Sequence, residues 1–236
     1  MRKILITGAT RGIGKAIFDE LSHDFDVYTA ARNEDALKSL GAKGYCVSDL
    51  RIDEDVTKLC KFIKEHKFDI IINNAGEYIY GGIEEMNDEQ ISSIYNVNLL
   101  SPVKIISSAV PEMKNKKWGR IINIGSISGV MGEAYASLYS STKSGLIGLT
   151  KALALELAEY NITVNTINPG WVETELGNES VNESEFSKEE LIECIPQKRF
   201  VEPKEVAHLV KYLISDEAKG ITGQSINLCA GLSVGC

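Results

Sequence analysis

Short apolar runs alternate with longer amphipathic stretches along the whole chain. The apolar runs are rich in isoleucine and valine and are continuous, which is typical of buried strands in a parallel sheet. Seven of them predict strands, at 4–6, 26–31, 44–47, 69–73, 120–124, 162–167 and 225–228. The stretches between them predict helices, the first over 12–21.

The order of these elements predicts the fold class. Strands that alternate with helices form a parallel sheet covered on both faces. We therefore expect an α/β protein with a single-domain Rossmann fold over residues 1–236, a doubly wound, seven-stranded parallel sheet with helices on both faces. Ligands of such folds bind at the carboxyl ends of the strands.

The segment 173–198 breaks this rhythm, because it follows the sixth strand and has no strand pattern of its own. Eight glutamates lie between Glu173 and Glu193, against one lysine, Lys188. A long insertion at the ligand edge of the sheet favours a substrate lid. The composition of this segment fits a pair of solvated acidic loops equally well. Its position at the ligand edge of the sheet is what favours the lid.

Composition and charge narrow the classes of function. The chain has 236 residues, 44% of them hydrophobic and 25% charged, which is typical of a globular protein with an ordinary core. The net charge of −8 disfavours a nucleic-acid partner, because neutralising phosphates requires an excess of lysine and arginine. No apolar run is long enough for a signal peptide or a membrane span, so we expect no membrane partner and a cytoplasmic location.

The five cysteines and three histidines are scattered. The cysteines form no C-x-x-C pair, which favours reduced thiols over a disulfide framework. No cluster of histidines predicts a metal site. These residues are Cys46, Cys60, Cys194, Cys229, Cys236, His23, His66 and His208.

A glycine-rich turn joins the first strand to the first helix, in Thr7-Gly8-Ala9-Thr10-Arg11-Gly12-Ile13-Gly14. Glycines there permit a tight turn and let backbone N–H groups approach a pyrophosphate at the helix N-terminus. The spacing is G-x-x-x-G-x-G rather than G-x-G-x-x-G, and a plain loop leading into a helix is the alternative. The position directly after an apolar strand favours dinucleotide binding.

Tyr139 and Lys143 are four residues apart, which places them one turn apart on one face of a helix. A free tyrosine has a pKa of roughly 10. A neighbouring ammonium group is expected to lower the pKa of Tyr139 towards a value useful for acid–base chemistry. None of the other eight tyrosines has a lysine four residues later.

Polar residues follow the fourth and fifth strands. Ser126 can present a hydroxyl to a carbonyl oxygen beside the tyrosine, although most serines in such Gly/Ser clusters only stabilise turns or caps. Asn73-Asn74-Ala75-Gly76 fits either direct ligand contact or the locking of neighbouring loops.

Taken in order, these residues resemble the short-chain dehydrogenases/reductases over essentially the whole chain. Within that family the chain is similar to the 3-oxoacyl-[acyl-carrier-protein] reductases, through residues 125–132 and 144–148. The motifs that carry the resemblance are Thr7-Gly8-x3-Gly12-x-Gly14, Asn73-Asn74-Ala75-Gly76, Asn98, Ser126, Tyr139-x3-Lys143, Pro169-Gly170-x-Val172-x-Thr174, Ile221-Thr222-Gly223-Gln224 and Ala230-Gly231.

The resemblance implies a catalytic tetrad of Asn98, Ser126, Tyr139 and Lys143. Ser126 and Tyr139 would hydrogen-bond the substrate oxygen, and Tyr139 would donate the proton. Lys143 would bind the nicotinamide ribose, and Asn98 would hold a water that links Lys143 to solvent. The implied cofactor-binding residues are Gly8, Thr10, Arg11, Gly12, Ile13, Gly14, Arg32, Asp49, Leu50, Asn74, Ala75, Gly76, Tyr139, Lys143, Pro169, Gly170, Val172 and Thr174.

The end of the second strand indicates NADP(H). An acidic residue there binds the ribose 2′-hydroxyl of NAD, whereas a nearby arginine suits the 2′-phosphate of NADP. Ala31 stands where NAD-preferring relatives tend to carry aspartate, and Arg32 follows it. Arg11 adds a second guanidinium, a group that matches phosphate geometry. The alternative is that Arg32 is only a surface cation before the next helix.

The implied function is NADPH-dependent reduction of a carbonyl to a hydroxyl, with a 3-oxoacyl thioester as the first substrate. Lys114, Lys116, Lys117 and Arg120 form a candidate landing patch for acyl-carrier protein. Tyr160 occupies a second position that is basic in some of those reductases, and the glutamate-rich segment would repel an acidic carrier.

These departures keep other substrates open, among them an acyl-CoA, a steroid, a polyketide, a sugar or a small ketone. A non-catalytic dinucleotide-binding regulator and a scaffold subunit are the alternatives from other classes of function. The resemblance also implies a homotetramer packed through the helices at about 88–114 and 137–159.

Overall fold

The computed structural model describes residues 1–183 and 186–235, with the side chains at 179, 182 and 183 left aside. Part of the acidic segment, Ser184 and Glu185, lies outside the described residues, and so does Cys236.

All seven predicted strands form, and they lie in one parallel sheet. The strand order is β3-β2-β1-β4-β5-β6-β7, with every neighbouring pair parallel. The α/β Rossmann fold with a seven-stranded parallel sheet is therefore confirmed. The strands are β1 Lys3–Thr7, β2 Asp26–Ala31, β3 Gly44–Val47, β4 Ile70–Asn73, β5 Gly119–Ile124, β6 Ile162–Pro169 and β7 Ser225–Leu228.

Ten α-helices lie in the described residues. They are α1 Gly12–Leu21, α2 Glu34–Leu40, α3 Asp53–His66, α4 Asp88–Tyr95, α5 Ser101–Lys116, α6 Ser128–Met131, α7 Ser137–Leu157, α8 Glu175–Glu183, α9 Lys188–Cys194 and α10 Pro203–Leu213.

The helix expected at about 88–114 is not a single α-helix. A π-helical turn, Asn96–Leu100, separates α4 from α5. Pro102 follows this turn and has no N–H to donate to the carbonyl four residues earlier, which disfavours a regular α-helical continuation. The wide turn carries Asn98. The helix expected at 137–159 ends at Leu157 and continues as a 3₁₀ turn.

Two hydrophobic layers cover the sheet, because successive strand residues point to opposite faces. Leu5 and Ile71 pack with buried residues of α3, α5 and α7 on one face. Ile4 and Ile72 pack with α1 and α10 on the other. All four side chains are fully buried, and each such burial stabilises the fold by roughly 1.5–3 kcal/mol.

The strand order reverses beside β1, which pairs with β2 on one side and β4 on the other. Connections from β1 and β4 therefore leave in opposite directions and open a crevice at the carboxyl ends of these strands. No helix in the described part of the chain is long and apolar enough to cross a membrane.

Candidate active site

A cavity of about 1080 Å³ opens at the carboxyl edge of the sheet. Every residue that the sequence predicts to bind the cofactor lines it, as does Ser126. Of the four predicted catalytic residues, only Asn98 lies behind the cavity wall. The predicted residues along the wall are Gly8, Thr10, Arg11, Gly12, Ile13, Gly14, Arg32, Asp49, Leu50, Asn74, Ala75, Gly76, Ser126, Tyr139, Lys143, Pro169, Gly170, Val172 and Thr174.

The glycine-rich turn is locked by the end of β4. The Asn74 side-chain amide donates hydrogen bonds to the carbonyl oxygens of Thr7 at 2.9 Å and Gly8 at 3.0 Å. The Thr7 hydroxyl in turn accepts from the N–H groups of Asn74 and Ala75. The sequence allowed either direct ligand contact or the locking of neighbouring loops for this asparagine motif. These contacts show that Asn74 holds the neighbouring turn in place.

This turn fits a dinucleotide pyrophosphate. Gly8 and Gly12 have positive φ angles of 70° and 54°, which glycine adopts readily. Helix α1 begins at Gly12, and the N–H groups of a first helical turn have no partner within the helix. A fixed, glycine-rich turn with such donors at the cavity wall suits an anionic group.

A buried polar ladder continues from the same strand end. Asn73 donates to the Asn123 side chain at 2.9 Å, and Asn123 donates to the Thr150 hydroxyl at 2.9 Å. The Thr150 and Thr166 hydroxyls lie 2.7 Å apart. The ladder links β4, β5, α7 and β6, so it fixes the helix that carries Tyr139 against the sheet.

Three arginines line the cavity near the ends of β2 and β3. Arg11 forms an ion pair with Glu175 at 3.0 Å. Arg51, which sequence analysis missed, pairs with Asp49 at 2.6 Å and holds the pKa of that carboxyl below its usual range. Within the described ranges, Arg32 makes no hydrogen bond or ion pair, and its guanidinium is exposed at the cavity wall.

Tyr139 and Lys143 lie one turn apart on α7, as their spacing predicts. The Lys143 Nζ atom is 5.5 Å from the centroid of the Tyr139 ring and donates to the carbonyl oxygen of Ile124 at 2.9 Å. The Lys143 side chain is buried, with 3% of the residue exposed.

The prediction that Lys143 lowers the pKa of Tyr139 is wrong. Burial raises the pKa of Tyr139 to about 12, the Glu133 carboxylate adds to the rise, and a hydrogen bond with Ser126 opposes it. Burial also lowers the pKa of Lys143 to about 8. Desolvation is thus the largest cause of both shifts. Tyr139 is therefore a protonated phenol at neutral pH, the state that a proton donor requires.

Asn98 contacts the backbone of Glu77 rather than the cavity. Its side-chain oxygen accepts from the Glu77 N–H at 2.8 Å, and its amide nitrogen donates to the Glu77 carbonyl at 2.8 Å and to Thr142 at 3.2 Å. Asn98 is fully buried. These contacts connect the loop after β4 with α7.

Ser126 begins a short hydrogen-bond chain. Its hydroxyl donates to the Ser128 hydroxyl at 3.1 Å, and the Ser128 hydroxyl donates to Glu133 at 2.6 Å. The Tyr78 hydroxyl donates to the other oxygen of Glu133 at 2.8 Å. The Tyr78 ring stands edge-on to Tyr139, with ring centroids 5.1 Å apart.

Sequence analysis missed most of the wall beyond Tyr139. Aromatic and acidic side chains dominate it, and their sequence positions follow no motif that could have revealed them. The missed residues include Glu77, Tyr78, Tyr80, Glu133, Tyr135, Trp171, Phe186 and Leu191. In the described part of the chain, no cluster of His, Cys, Asp and Glu could hold a metal ion.

The candidate landing patch for a carrier protein needs correction. Arg120 is 1% exposed, stacks on Trp118 and pairs with Asp216 at 3.4 Å, so it presents no charge to a partner. The remaining lysines of the patch lie at the amino end of β5, opposite to the cavity within one protomer.

Comparisons with known proteins agree with this geometry. The sequence profile of the short chain dehydrogenases matches residues 2–185. The chain is 35% identical over 245 residues to the 3-oxoacyl-[acyl-carrier-protein] reductase of Staphylococcus epidermidis, covering 98% of each. It is 34% identical over 249 residues to the D-beta-hydroxybutyrate dehydrogenase of Rhizobium meliloti, covering 96% of each.

One solved structure shows the same fold at similar identity. A variant of actinorhodin polyketide ketoreductase with NADPH superposes with a TM-score of 0.90 at 33% identity. The superposition covers 99% of this chain and 97% of that one.

Proposed function

The chain belongs to the short-chain dehydrogenase family, and we propose that it reduces a ketone carbonyl to a hydroxyl with NADPH, using Tyr139 as the proton donor. The family resemblance predicted from the ordered motifs is thereby confirmed, and with it an oxidoreductase that acts on CH–OH and C=O groups.

One observation carries the proposal. Ser126, Tyr139 and Lys143 line the same cavity as the glycine-rich turn. A carbonyl placed against Tyr139 and a dinucleotide placed in the turn would share one enclosed space. A protonated phenol in that position could donate a proton to the carbonyl oxygen.

NADP(H) is the cofactor that these residues fit. The locked turn offers backbone donors to a pyrophosphate, and Arg32 offers an exposed guanidinium at the end of β2. The actinorhodin relative contains NADPH, which supports the same choice here.

The proposed chemistry divides between cofactor and protein. When bound, the nicotinamide supplies a hydride to the carbonyl carbon. Tyr139 would donate its phenolic proton to the carbonyl oxygen. The Ser126 hydroxyl, which donates to Ser128 in this structure, would turn to donate to the same carbonyl oxygen. Lys143 would bind the ribose hydroxyls of the cofactor. The role of Asn98 as the holder of a water remains a prediction.

A 3-oxoacyl thioester is the first candidate substrate, supported by the likeness to the Staphylococcus reductase. A cyclic or polyketide ketone is the second, favoured by the aromatic wall of Tyr78, Tyr80, Tyr135 and Trp171. The Rhizobium relative is named for a free hydroxy acid. Its oxidised counterpart, acetoacetate, is therefore an anionic candidate to compare with neutral ones.

We propose that residues 1–236 form one dinucleotide-binding and catalytic domain whose lid spans about 173–198. Leu176 on α8, Leu191 on α9 and Phe186 line the cavity. Ion pairs join this segment to the turn through Arg11 and Glu175, and to itself through Lys188 and Glu173. Its movement would control access of substrate.

Assembly as a homotetramer through α4–α5 and α7 also belongs to the proposal. Leu155 on α7 is 86% exposed, and Leu100 and Val103 near the start of α5 are exposed as well. Apolar side chains on these helices would be covered by a neighbouring subunit. An acyl-carrier protein remains a possible partner only for the thioester substrate.

The test is loss of NADPH absorbance with a panel of carbonyls led by acetoacetyl-CoA. Turnover that disappears in Tyr139→Phe and persists in Tyr212→Phe, a matched change on the exposed face of α10, would support the proposal. Activity on a cyclic ketone without activity on the thioester would select the second substrate class. No turnover of any carbonyl would reject reduction.

A further inference from the structure

A carboxylate lies beside the candidate catalytic serine, inside the same cavity. Ser126 donates to Ser128 at 3.1 Å, and Ser128 donates to Glu133 at 2.6 Å. Glu133 lines the cavity, as do Ser126 and Tyr139. A negative charge thus stands two hydrogen bonds from the hydroxyl that would hold the substrate oxygen.

Glu133 is fixed in this place from three directions. Besides the bond from Ser128, its carboxylate accepts from the Tyr78 hydroxyl at 2.8 Å, and its backbone N–H donates to the Ser140 hydroxyl at 3.1 Å. Ser128 is 8% exposed and Ser140 is 9% exposed. These bonds hold the carboxylate beside Ser128 and Tyr78.

Other charges near the carbonyl position do not neutralise Glu133. The Lys143 ammonium donates to the Ile124 carbonyl and forms no ion pair with Glu133 within the described residues. Glu77 adds a second negative charge, with one oxygen held by the Ser93 hydroxyl. The Glu133 charge is felt at the Tyr139 oxygen, since it contributes to the raised pKa of that phenol.

We propose that Glu133 is a specificity-determining residue that selects neutral carbonyl substrates over anionic ones. A free 3-oxo acid carries its carboxylate two bonds from the carbonyl carbon, so that binding the carbonyl at Ser126 and Tyr139 brings two negative charges together. Simple ketones, and the esters and thioesters of 3-oxo acids, carry no carboxylate at that position. The inference rests on the proposed function and names the substrate class that its site accepts.

The size of the discrimination follows from Coulomb's law. At an effective dielectric constant of about 20–30, like charges about 6–8 Å apart repel enough to change a rate by about 10- to 100-fold. Salt screens charges exposed to solvent, but it screens a partly enclosed pair less. We therefore expect kcat/KM for a free 3-oxo acid to be lower than for its ester by at least about 10-fold.

The experiment compares acetoacetate with ethyl acetoacetate, and levulinate with its ethyl ester, using NADPH and the full chain. In the native protein each ester is the better substrate, and the gap is wider for acetoacetate, whose carboxylate is nearer to its ketone. Glu133→Gln keeps the shape of the side chain and removes the charge. It is expected to raise the ratio of kcat/KM for acetoacetate to kcat/KM for ethyl acetoacetate by about 10-fold.

Two further variants separate charge from structure. Glu112→Gln makes the same change in net charge on α5, away from the cavity, and should leave the ratio of ester to acid unchanged. Glu133→Asp keeps the charge and should keep the discrimination. Melting temperature and NADPH binding are measured for each variant, so a poorly folded protein is recognised.

The outcomes separate this inference from the proposed function. Two results would overturn the role of Glu133 while leaving carbonyl reduction intact. One is equal kcat/KM for acid and ester in the native protein. The other is a ratio of ester to acid in Glu133→Gln that equals the native ratio. If Glu133→Gln is poorly folded, two other measurements still test the role of Glu133. These are the ratio of kcat/KM for ester to kcat/KM for acid in the native protein, and the same ratio in Glu133→Asp. No reduction of any ketone or ester would reject the proposed function itself.

Discussion

The Asn74 side-chain nitrogen lies 3.0 Å from the carbonyl oxygen of Gly8 and donates a hydrogen bond to it. A Cβ atom at Gly14 would lie 2.2 Å from that same oxygen and 2.5 Å from that same nitrogen. The bond that closes the turn therefore occupies the space that any side chain at Gly14 would need.

Replacing Gly14 by alanine should open this turn and weaken NADPH binding. Overpacking of this kind typically costs about 1–3 kcal/mol, because the backbone has to shift. We expect at least about a 10-fold rise in the dissociation constant for NADPH, measured by fluorescence titration, together with a lower melting temperature.

Gly148→Ala is the matched control. Gly148 lies inside α7, and a Cβ there meets nothing within 4 Å. Alanine should stabilise the helix by about 0.5–1 kcal/mol and leave NADPH affinity unchanged. Equal effects of the two substitutions on affinity would contradict the tight-turn explanation.

Replacing Tyr139 by phenylalanine should remove reduction and spare cofactor binding. The ring and its edge-on contact with Tyr78 remain, and only the phenolic hydroxyl is lost. Loss of a positioned general acid costs about 10²–10⁴ in rate. Single-turnover rates and NADPH titrations measure the two properties separately, and a variant with most of its native rate would disprove the proton-donor assignment.

Replacing Arg32 by glutamine should weaken NADPH and spare NADH. Charge-assisted hydrogen bonds contribute about 1.5–3 kcal/mol, so we expect KM for NADPH to rise by about 10-fold or more. NADH has no 2′-phosphate, and its KM should change by less than about 2-fold.

Lys38→Gln controls for the loss of a nearby positive charge. Lys38 is on α2, the helix that follows Arg32 in sequence, and pairs with Glu34 at 3.1 Å on the surface. Lys38→Gln should leave KM for NADPH and KM for NADH unchanged. A similar loss of NADPH affinity in both variants would show that Arg32 acts only through net charge.

The fold could be predicted because its signal is local and periodic. Continuous apolar runs such as Ile70–Asn73 are buried on both faces, so their pattern does not depend on which helix covers them. The Tyr139–Lys143 pair was equally accessible, since helix geometry alone sets its spacing. The glycine-rich turn followed from its place after β1.

Contacts between distant segments could not be predicted in this way. Glu133 becomes important only because α6 and the loop after it bring its carboxylate to Ser128 and Tyr78. Arg120 looked like a surface cation until Trp118 and Asp216 enclosed it. The pKa of Tyr139 depends on burial, which a sequence pattern does not contain.

The lysine of the site provides a prediction about pH. Burial lowers the pKa of Lys143 to about 8, from an ordinary value of 10.5. The proposed reaction uses the ammonium form, so kcat/KM for reduction, which reports ionisations of the free enzyme, should fall as pH rises through about 8, with a one-proton slope. Tyr139, with its pKa near 12, remains protonated over this range.

The same ionisation predicts a separate change in stability, with opposite sign. The unfolded chain retains the Lys143 proton up to about pH 10.5, whereas the native protein releases it near 8. Between these values the unfolded state binds more protons, so the contribution of Lys143 to the free energy of unfolding increases with pH.

Lys143→Arg keeps its charge throughout, because guanidinium has a pKa above 12. This variant should lose both the fall in kcat/KM near pH 8 and the accompanying gain in stability. A native fall near pH 8 that persists in Lys143→Arg would assign that titration to another group.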